Sequence, residues 1–206
     1  MKPMAEPMVK AMAGRRRITL VRHGETEGES SIRFHGATDV PLSGFGRAQA
    51  VRAREHLDGR AFDLVVSSSL IRAEESARLI VPEVALRIEL DFREIDFGRW
   101  EGLTIEEIES LDPDLHAEWQ ARTVSFDFPE GERRGDFRAR VLAALERLLE
   151  TAAGSILIVA HKGVVRTILE HLSGEAPPQP EPELGGVYEL LAADTRGTAW
   201  STLRLL

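Results

Sequence analysis

The sequence predicts an α/β domain, a three-layer α/β/α sandwich with a mostly parallel central sheet and a C-terminal β-hairpin. Three observations predict it. Apolar runs of strand length at Ile18 to Val21, Leu64 to Val66 and Ile156 to Val159 each break off into polar or small residues. Helical three-four spacing follows each of the last two runs, and the order of strand then helix repeats along most of the chain. The exception is the end, where Val187 to Ala192 and Thr198 to Leu205 are β-prone runs separated only by Ala193-Asp194-Thr195-Arg196-Gly197, the pattern of a hairpin. A parallel sheet with antiparallel strands at one side accounts for both parts.

The elements follow in order. Ile18 to Val21 is apolar and stops at Arg22-His23-Gly24. Glu27 to Pro41 is a polar loop with no apolar period, and loops of that length in compact domains are often functional. Ser43 can cap a helix whose face carries Ala50, Ala53 and Leu57, and Gly59 stops it. After Leu64 to Val66, the residues Leu70, Ala73, Ala77 and Ile80 mark a second helix face, which Pro82 prevents from continuing. Arg87 to Leu90 reads as a short strand and Asp91 to Gly102 as a loop.

Thr104 and Glu107 form a capping box ahead of Ile105, Ile108 and Leu111, and Leu115 and Trp119 extend that apolar face beyond Pro113. Thr123 to Arg134 is irregular. Phe137, Val141, Leu145 and Leu148 form the strongest helical stripe, from about Asp136 to Thr151, and Gly154 ends it. That stripe is core. After Ile156 to Val159 a helix carries Val164, Val165, Ile168, Leu169 and Leu172, and the prolines of Gly174 to Pro182 mark a linker.

Composition narrows the function classes. A chain of 206 residues is one domain with room for a core. Its net charge of -8 argues against a general nucleic-acid or anionic-membrane surface. With no cysteine, disulfides, thiolate metal sites and thiol nucleophiles are excluded. No apolar run approaches the roughly 18–20 residues of a membrane helix. Residues 1–17, rich in methionine and ending in Arg15-Arg16-Arg17, lack the apolar core of a secretory signal and read as a flexible leader. The expected location is cytoplasmic, and the oligomeric state stays open, a homodimer being one option.

If the strands are parallel, their carboxyl ends deliver Arg22 and His23, Arg72, and His161 to one rim, where open α/β sheets bind ligands. Arginine offers a planar fork of donors that matches phosphate geometry. One imidazole can be neutral and nucleophilic while another donates. A phosphorylated imidazole would split the transfer into two easier steps, with the arginines stabilising the equatorial oxygens. No group of His, Asp and Glu has metal-ligand spacing, so neither metal nor cofactor is expected. Glu94 is the candidate general acid and later base, and Thr26 a candidate hydroxyl contact to phosphate or substrate. Phe97, Trp100 and Trp119 read as core or pocket wall. His35, His56, His116 and His171 read as surface or structural residues.

Arg22-His23-Gly24-Glu25-Thr26, Ser67 to Ala77, Arg93 to Gly102 and Val159 to Gly163, in that order, resemble the motifs of the histidine phosphatase superfamily, also called phosphoglycerate-mutase-like, and in particular its small phosphatase branch. Pro41 to Ala50 also looks like a helix start of that family, and the resemblance covers roughly Ile18 to Arg166. It implies a catalytic domain over residues 18–206 with a three-layer α/β/α fold. It implies that His23 is the phosphorylated nucleophile, that Arg22, Arg72 and His161 hold the phosphoryl group, and that Glu94 is the proton donor. The implied activity is a metal-independent phosphomonoesterase acting on a small phosphorylated metabolite. The alternatives are a phosphoglycerate-mutase-type phosphotransferase and a non-catalytic phospho-ligand sensor. Two positions depart from the family pattern. Glu29 stands where many members have asparagine, so Ser30 or Ser31 would have to supply that donor. Lys162 follows the second histidine where many have glycine, and it either adds charge to the pocket or points outward.

Overall fold

The computed structural model describes residues 15–28, 32–121, 126–174, 181–193 and 200–204. In chain order these form β1 (Arg17–Arg22), α1 (Gly44–His56), β2 (Leu64–Ser68), α2 (Ile71–Ile80), β3 (Leu86–Glu89), α3 (Ile105–Leu111), α4 (Pro113–Gln120), α5 (Arg134–Leu149), β4 (Ser155–Ala160), α6 (Lys162–Ser173), β5 (Val187–Ala192) and β6 (Trp200–Arg204). The strands make one sheet of order β3-β2-β4-β1-β5-β6. β1 and β4, β4 and β2, and β2 and β3 are parallel, whereas β5 runs antiparallel to both β1 and β6. The antiparallel strands therefore lie together at one side, as the hairpin pattern predicts.

Alternation along the strands sends side chains to two helical layers. Ile18 and Leu20 of β1 and Ile156 and Ile158 of β4 join a core built with α5 and α6. Val21, Val65, Leu157 and Val159 point the other way, onto Ala50, Ala53 and Leu57 beside α1 and Ala77 and Ile80 of α2. The stripe of α5 is buried as its spacing predicts, through Phe137, Val141, Ala144, Leu145 and Leu148. Burying one such large apolar side chain contributes about 1.5–3 kcal/mol. The sheet thus lies between two layers of helices, the three-layer sandwich. No helix among the described residues is long and apolar enough to cross a membrane.

Local chemistry explains most boundaries. The Ser43 hydroxyl accepts from the Gly46 N–H at 3.0 Å and starts α1. Thr104 and Glu107 form the expected capping box of α3. α6 ends at Gly174, whose φ of 70° lies in the left-handed region that glycine occupies without strain.

Several boundaries need adjustment. The strand expected at Arg87 to Leu90 runs Leu86–Glu89, and a 3-10 turn takes Leu90–Phe92. The loop Asp91 to Gly102 contains that turn and a second at Gly98–Trp100. Leu115 and Trp119 continue the apolar face of Ile108, but on a separate helix. They belong to α4, which begins at Pro113 because proline has no N–H to continue the earlier helix but suits a first turn. Arg17, assigned to the leader by sequence, opens β1, and the Arg16 guanidinium donates to the Thr151 carbonyl at 2.6 Å. Met1 to Gly14, Thr198 and Leu205, and positions 175–180 of the linker, lie outside the described residues.

Register positions the functional end. In the β1–β4 ladder Arg22 stands opposite Ala160, so the next residues, His23 and His161, leave the sheet side by side. The His23 N–H donates to the Ala160 carbonyl at 2.9 Å and extends the ladder by one bond.

Candidate active site

His23 is buried, and its Nδ1 lies 2.6 Å from its neighbour's carbonyl, that of Gly24. A carbonyl can only accept, so Nδ1 carries the proton and Nε2 keeps its lone pair. The His161 ring stands edge-on to the His23 ring, with centroids 5.0 Å apart. His161 Nε2 lies 2.8 Å from the Ser68 hydroxyl, which accepts from the Leu70 N–H and is left with its own proton to donate. That arrangement puts the second imidazole proton on Nδ1, which is buried without a partner among the described residues.

Two guanidinium groups complete the cluster. Arg72, at the first turn of α2, is fully buried. Its Nη1 donates to the Thr38 carbonyl at 2.7 Å, and its Nη2 donates to Gly36 at 2.6 Å and His35 at 3.1 Å. Arg22 Nη1 donates to the Pro182 carbonyl at 2.8 Å. In both residues Nε is buried without a partner among the described residues. Leaving a buried donor unsatisfied costs about 1–3 kcal/mol, more when it is charged. Three such N–H groups, from Arg22, Arg72 and His161, gather beside the one imidazole that holds a free lone pair. The ligand chemistry that answers all three is an anionic oxygen group of phosphate size.

The electrostatics agree. Burial, then the positive charges of Arg72 and Arg22, pushes His23 well below the usual imidazole value. His161 is pushed down by burial, then by Arg72, His23 and Arg22. Both rings are therefore neutral at pH 7. Burial lowers Arg22 to about 10 against the opposing pull of Glu94 and Tyr188. Arg72 is also lowered by burial, with Glu94, Asp39 and Glu101 opposing.

Glu94 follows the turn at Leu90–Phe92 and is buried. Its Oε1 accepts from the Ile95 N–H at 3.0 Å and its Oε2 from the Gly163 N–H at 2.9 Å. Gly163 permits this approach, since a Cβ there would meet Glu94 Oε1 at 2.4 Å. The carboxylate is thus fixed on the first turn of α6, beside His161.

Thr26 is buried with its hydroxyl 3.2 Å from His35 Nδ1. The sequence reading set His35 among the surface or structural histidines. It instead stands at the rim, where burial and the charge of Arg72 lower it and where its own charge depresses His23. Sequence reading also missed Glu101. Its Oε1 accepts from Ala37 and Phe97 N–H at 2.9 and 3.0 Å, and its Oε2 from Gly36 and Thr38 N–H, both at 3.2 Å, and from the Thr38 hydroxyl at 2.5 Å. The loop His35 to Thr38 is clamped from two sides, its carbonyls by Arg72 and its amides by Glu101. The signals in the sequence were the length of that loop and the place of Glu101 inside the motif from Arg93 to Gly102.

Other expectations sort themselves by burial. Lys162 is half exposed and pairs with Glu181, which also takes Arg166 Nη1 at 3.1 Å. Lys162 thus spends its charge on Glu181, and this ion pair ties the segment that supplies Pro182 to the start of α6. Trp100 is fully buried core, donating to Asp112 at 2.8 Å. His116 is buried and stacked on Trp119, a structural role. Glu29, Ser30 and Ser31 lie outside the described residues. Among the described residues no three His, Asp or Glu side chains are grouped to hold a metal.

The model of the histidine phosphatase superfamily (branch 1) matches residues 18–201. The chain belongs to the histidine phosphatase superfamily. A histidine phosphatase relative from Mycolicibacterium vanbaalenii, named glucosyl-3-phosphoglycerate phosphatase, is 34% identical, over 88% of this chain and 86% of that one. A protein named probable phosphoglycerate mutase from Yersinia enterocolitica is 32% identical, over 81% of this chain and 79% of its own. The crystal structure of the alpha-ribazole phosphatase from Shigella flexneri superposes with a TM-score of 0.79 at 27% identity, covering 91% of this chain and 95% of that one. The protein is a phosphatase of this superfamily, an enzyme that hydrolyses phosphate esters.

Proposed function

We propose that this histidine phosphatase hydrolyses a small phosphorylated metabolite through a phosphohistidine formed on His23, with residues 18–206 as its catalytic domain. The observation that carries this reading is the gathering of the three unpaired N–H donors beside an imidazole whose Nδ1 is already bonded to the Gly24 carbonyl.

His23 Nε2 attacks phosphorus as the bond from phosphorus to the ester oxygen breaks. Protonated Glu94 gives its proton to the leaving alkoxide. Arg22 Nε, Arg72 Nε and His161 Nδ1 donate to the phosphoryl oxygens as charge shifts among them. In the second half Glu94, now a carboxylate, takes a proton from a water that attacks phosphorus. The N–P bond breaks, His23 regains its lone pair, and inorganic phosphate leaves. The guanidinium groups supply the positive charge, so these steps call on no metal. Thr26 orients His35 at the rim and contacts the substrate. The names glucosyl-3-phosphoglycerate phosphatase and alpha-ribazole phosphatase point to esters of hydroxylated organic alcohols as the substrate class, and this reading places the reaction in the cytoplasm.

Rapid quenching with phosphorus-labelled substrate tests the mechanism. Label should be retained on protein, released by acid and stable to alkali, and absent from the His23→Ala variant. Turnover of an aryl phosphate by that variant would falsify the assignment. The likeness to a probable mutase favours a second reading, in which the phosphoryl group returns to the same molecule. Phosphate release compared with isomer formation from 3-phosphoglycerate separates the two. Vanadate binding with no turnover on any ester would instead favour a sensor.

A further inference from the structure

Three consecutive residues where β4 passes into α6 reach three different parts of the site. His161 places its ring beside that of His23. The Gly163 N–H holds the Glu94 carboxylate at 2.9 Å. Lys162, between them, forms an ion pair with Glu181. Arg166, one turn further along α6, donates to the other oxygen of the Glu181 carboxylate at 3.1 Å. Arg166 also pairs with Glu170 at 3.0 Å, and Glu170 lies 3.7 Å from Arg138. An isolated exposed pair contributes little, but a carboxylate shared by two cations within a network is held in one place.

Glu181 opens a short strap that runs back over Arg22. The Pro182 carbonyl, next in the chain, accepts from Arg22 Nη1 at 2.8 Å. Beyond it the Gly185 N–H donates to the carbonyls of Arg22 and His23 at 3.1 and 3.2 Å, and the Gly186 carbonyl accepts from the Arg22 N–H at 3.1 Å. The strap is thus fixed to the backbone of β1 at one end and by charge to α6 at the other. The Pro182 carbonyl lies at the charged end. A guanidinium is planar, so a bond that fixes Nη1 also restricts where the Nε–H points. That Nε is the one buried without a partner among the described residues. Glu181 is also among the negative charges that favour the Arg22 cation against its burial.

We propose that Lys162 and Glu181 are positioning residues for Arg22: their ion pair holds the Pro182 carbonyl where it turns the Arg22 Nε–H toward the phosphoryl group. This rests on the phosphatase reading above. It gives a role to the lysine that stands where many family members have glycine.

Orthovanadate binding by calorimetry and kcat/KM on 4-nitrophenyl phosphate test it. Glu181→Gln should weaken vanadate binding and lower kcat/KM about fivefold. Lys162→Met should do the same to a smaller extent, and Lys162→Arg should keep the wild-type values. The double variant of Lys162→Met and Glu181→Gln should lose no more than Glu181→Gln alone. In an Arg22→Ala background, where the strap has no guanidinium to hold, Glu181→Gln should add no further loss. A merely structural role would act equally with and without Arg22, so equal losses in the two backgrounds overturn the inference. Unchanged vanadate binding and turnover in Glu181→Gln overturn it as well, and both results leave the phosphatase reading intact. Should Glu181→Gln not fold, Lys162→Met, at a half-exposed position, decides by the same comparison in the two backgrounds. A wild type that neither binds vanadate nor hydrolyses the ester overturns the phosphatase reading itself, and this inference with it.

Discussion

The same three strands end in two different ways. At the amino ends of β1, β2 and β4 the polar groups find partners nearby. The Asp63 carboxylate accepts from the Gly154 and Ser155 N–H groups at 2.9 and 2.8 Å. Arg17 reaches the Ser155 hydroxyl at 2.9 Å, and Glu189 takes Arg60. At the carboxyl ends, a few residues away along each strand, Arg22 Nε, Arg72 Nε and His161 Nδ1 are buried without partners among the described residues. One end contributes stability. The other gives some of it up, holding charges and neutral imidazoles that, in the function proposed above, an anion completes.

That contrast can be broken from either side. The largest effect belongs to His23→Ala, which should lower kcat on an aryl phosphate by roughly 10^4-fold or more with the melting temperature unchanged or raised. Next is Arg72→Lys, where an ammonium cannot span the His35, Gly36 and Thr38 carbonyls and also present a donor to the phosphoryl group. We expect kcat/KM to fall roughly 10^2–10^3-fold, measured against the same ester. Glu94→Gln should cost about 10^2–10^4-fold on an alkyl ester and much less on a 4-nitrophenyl ester, whose leaving group needs no proton. An equal loss on both esters would remove Glu94 from the role of acid.

The opposite end should behave in the opposite way. Asp63→Ala leaves the Gly154 and Ser155 N–H groups without their acceptor and should cost about 0.5–1.5 kcal/mol in denaturant unfolding, with kcat unaltered. A loss of activity there would mean that the two ends are coupled.

The smallest effect is in pH. His23 and His161 are held well below the unfolded value of about 6.5 by burial and by Arg72. Above that value neither state binds the protons, so these residues add no pH dependence. As pH falls below it, the unfolded chain takes up protons that the folded site resists, and stability declines toward the folded values. Melts from pH 7 to 5 should show this decline, and saturating inorganic phosphate, which binds only the folded site, should offset part of it. The His23→Ala and His161→Ala double variant should flatten the slope.

Much of the site could be read before the fold was known, and the reason is local. Arg22, His23 and His161 each stand at the point where an apolar strand stops, a punctuation visible within a few residues. Arg72 stands two residues beyond such a point, and Glu94 was marked by the motif around it. Thr26 was legible only as a hydroxyl near the nucleophile, and its partner His35 was misplaced. Glu101 lay inside the motif from Arg93 to Gly102 but drew no role there, because most of the groups that it accepts from belong to a loop more than sixty residues earlier in the chain.

What the sequence determined by itself is the alternation of strand and helix, the terminal hairpin and the identity of the groups at the strand ends, because periodicity and punctuation act over neighbouring residues. Only the tertiary structure decided which donors are spent and which are free. Whether a guanidinium nitrogen meets a carbonyl or nothing depends on distant segments that burial brings to within hydrogen-bonding distance, and no spacing along the chain encodes that directly.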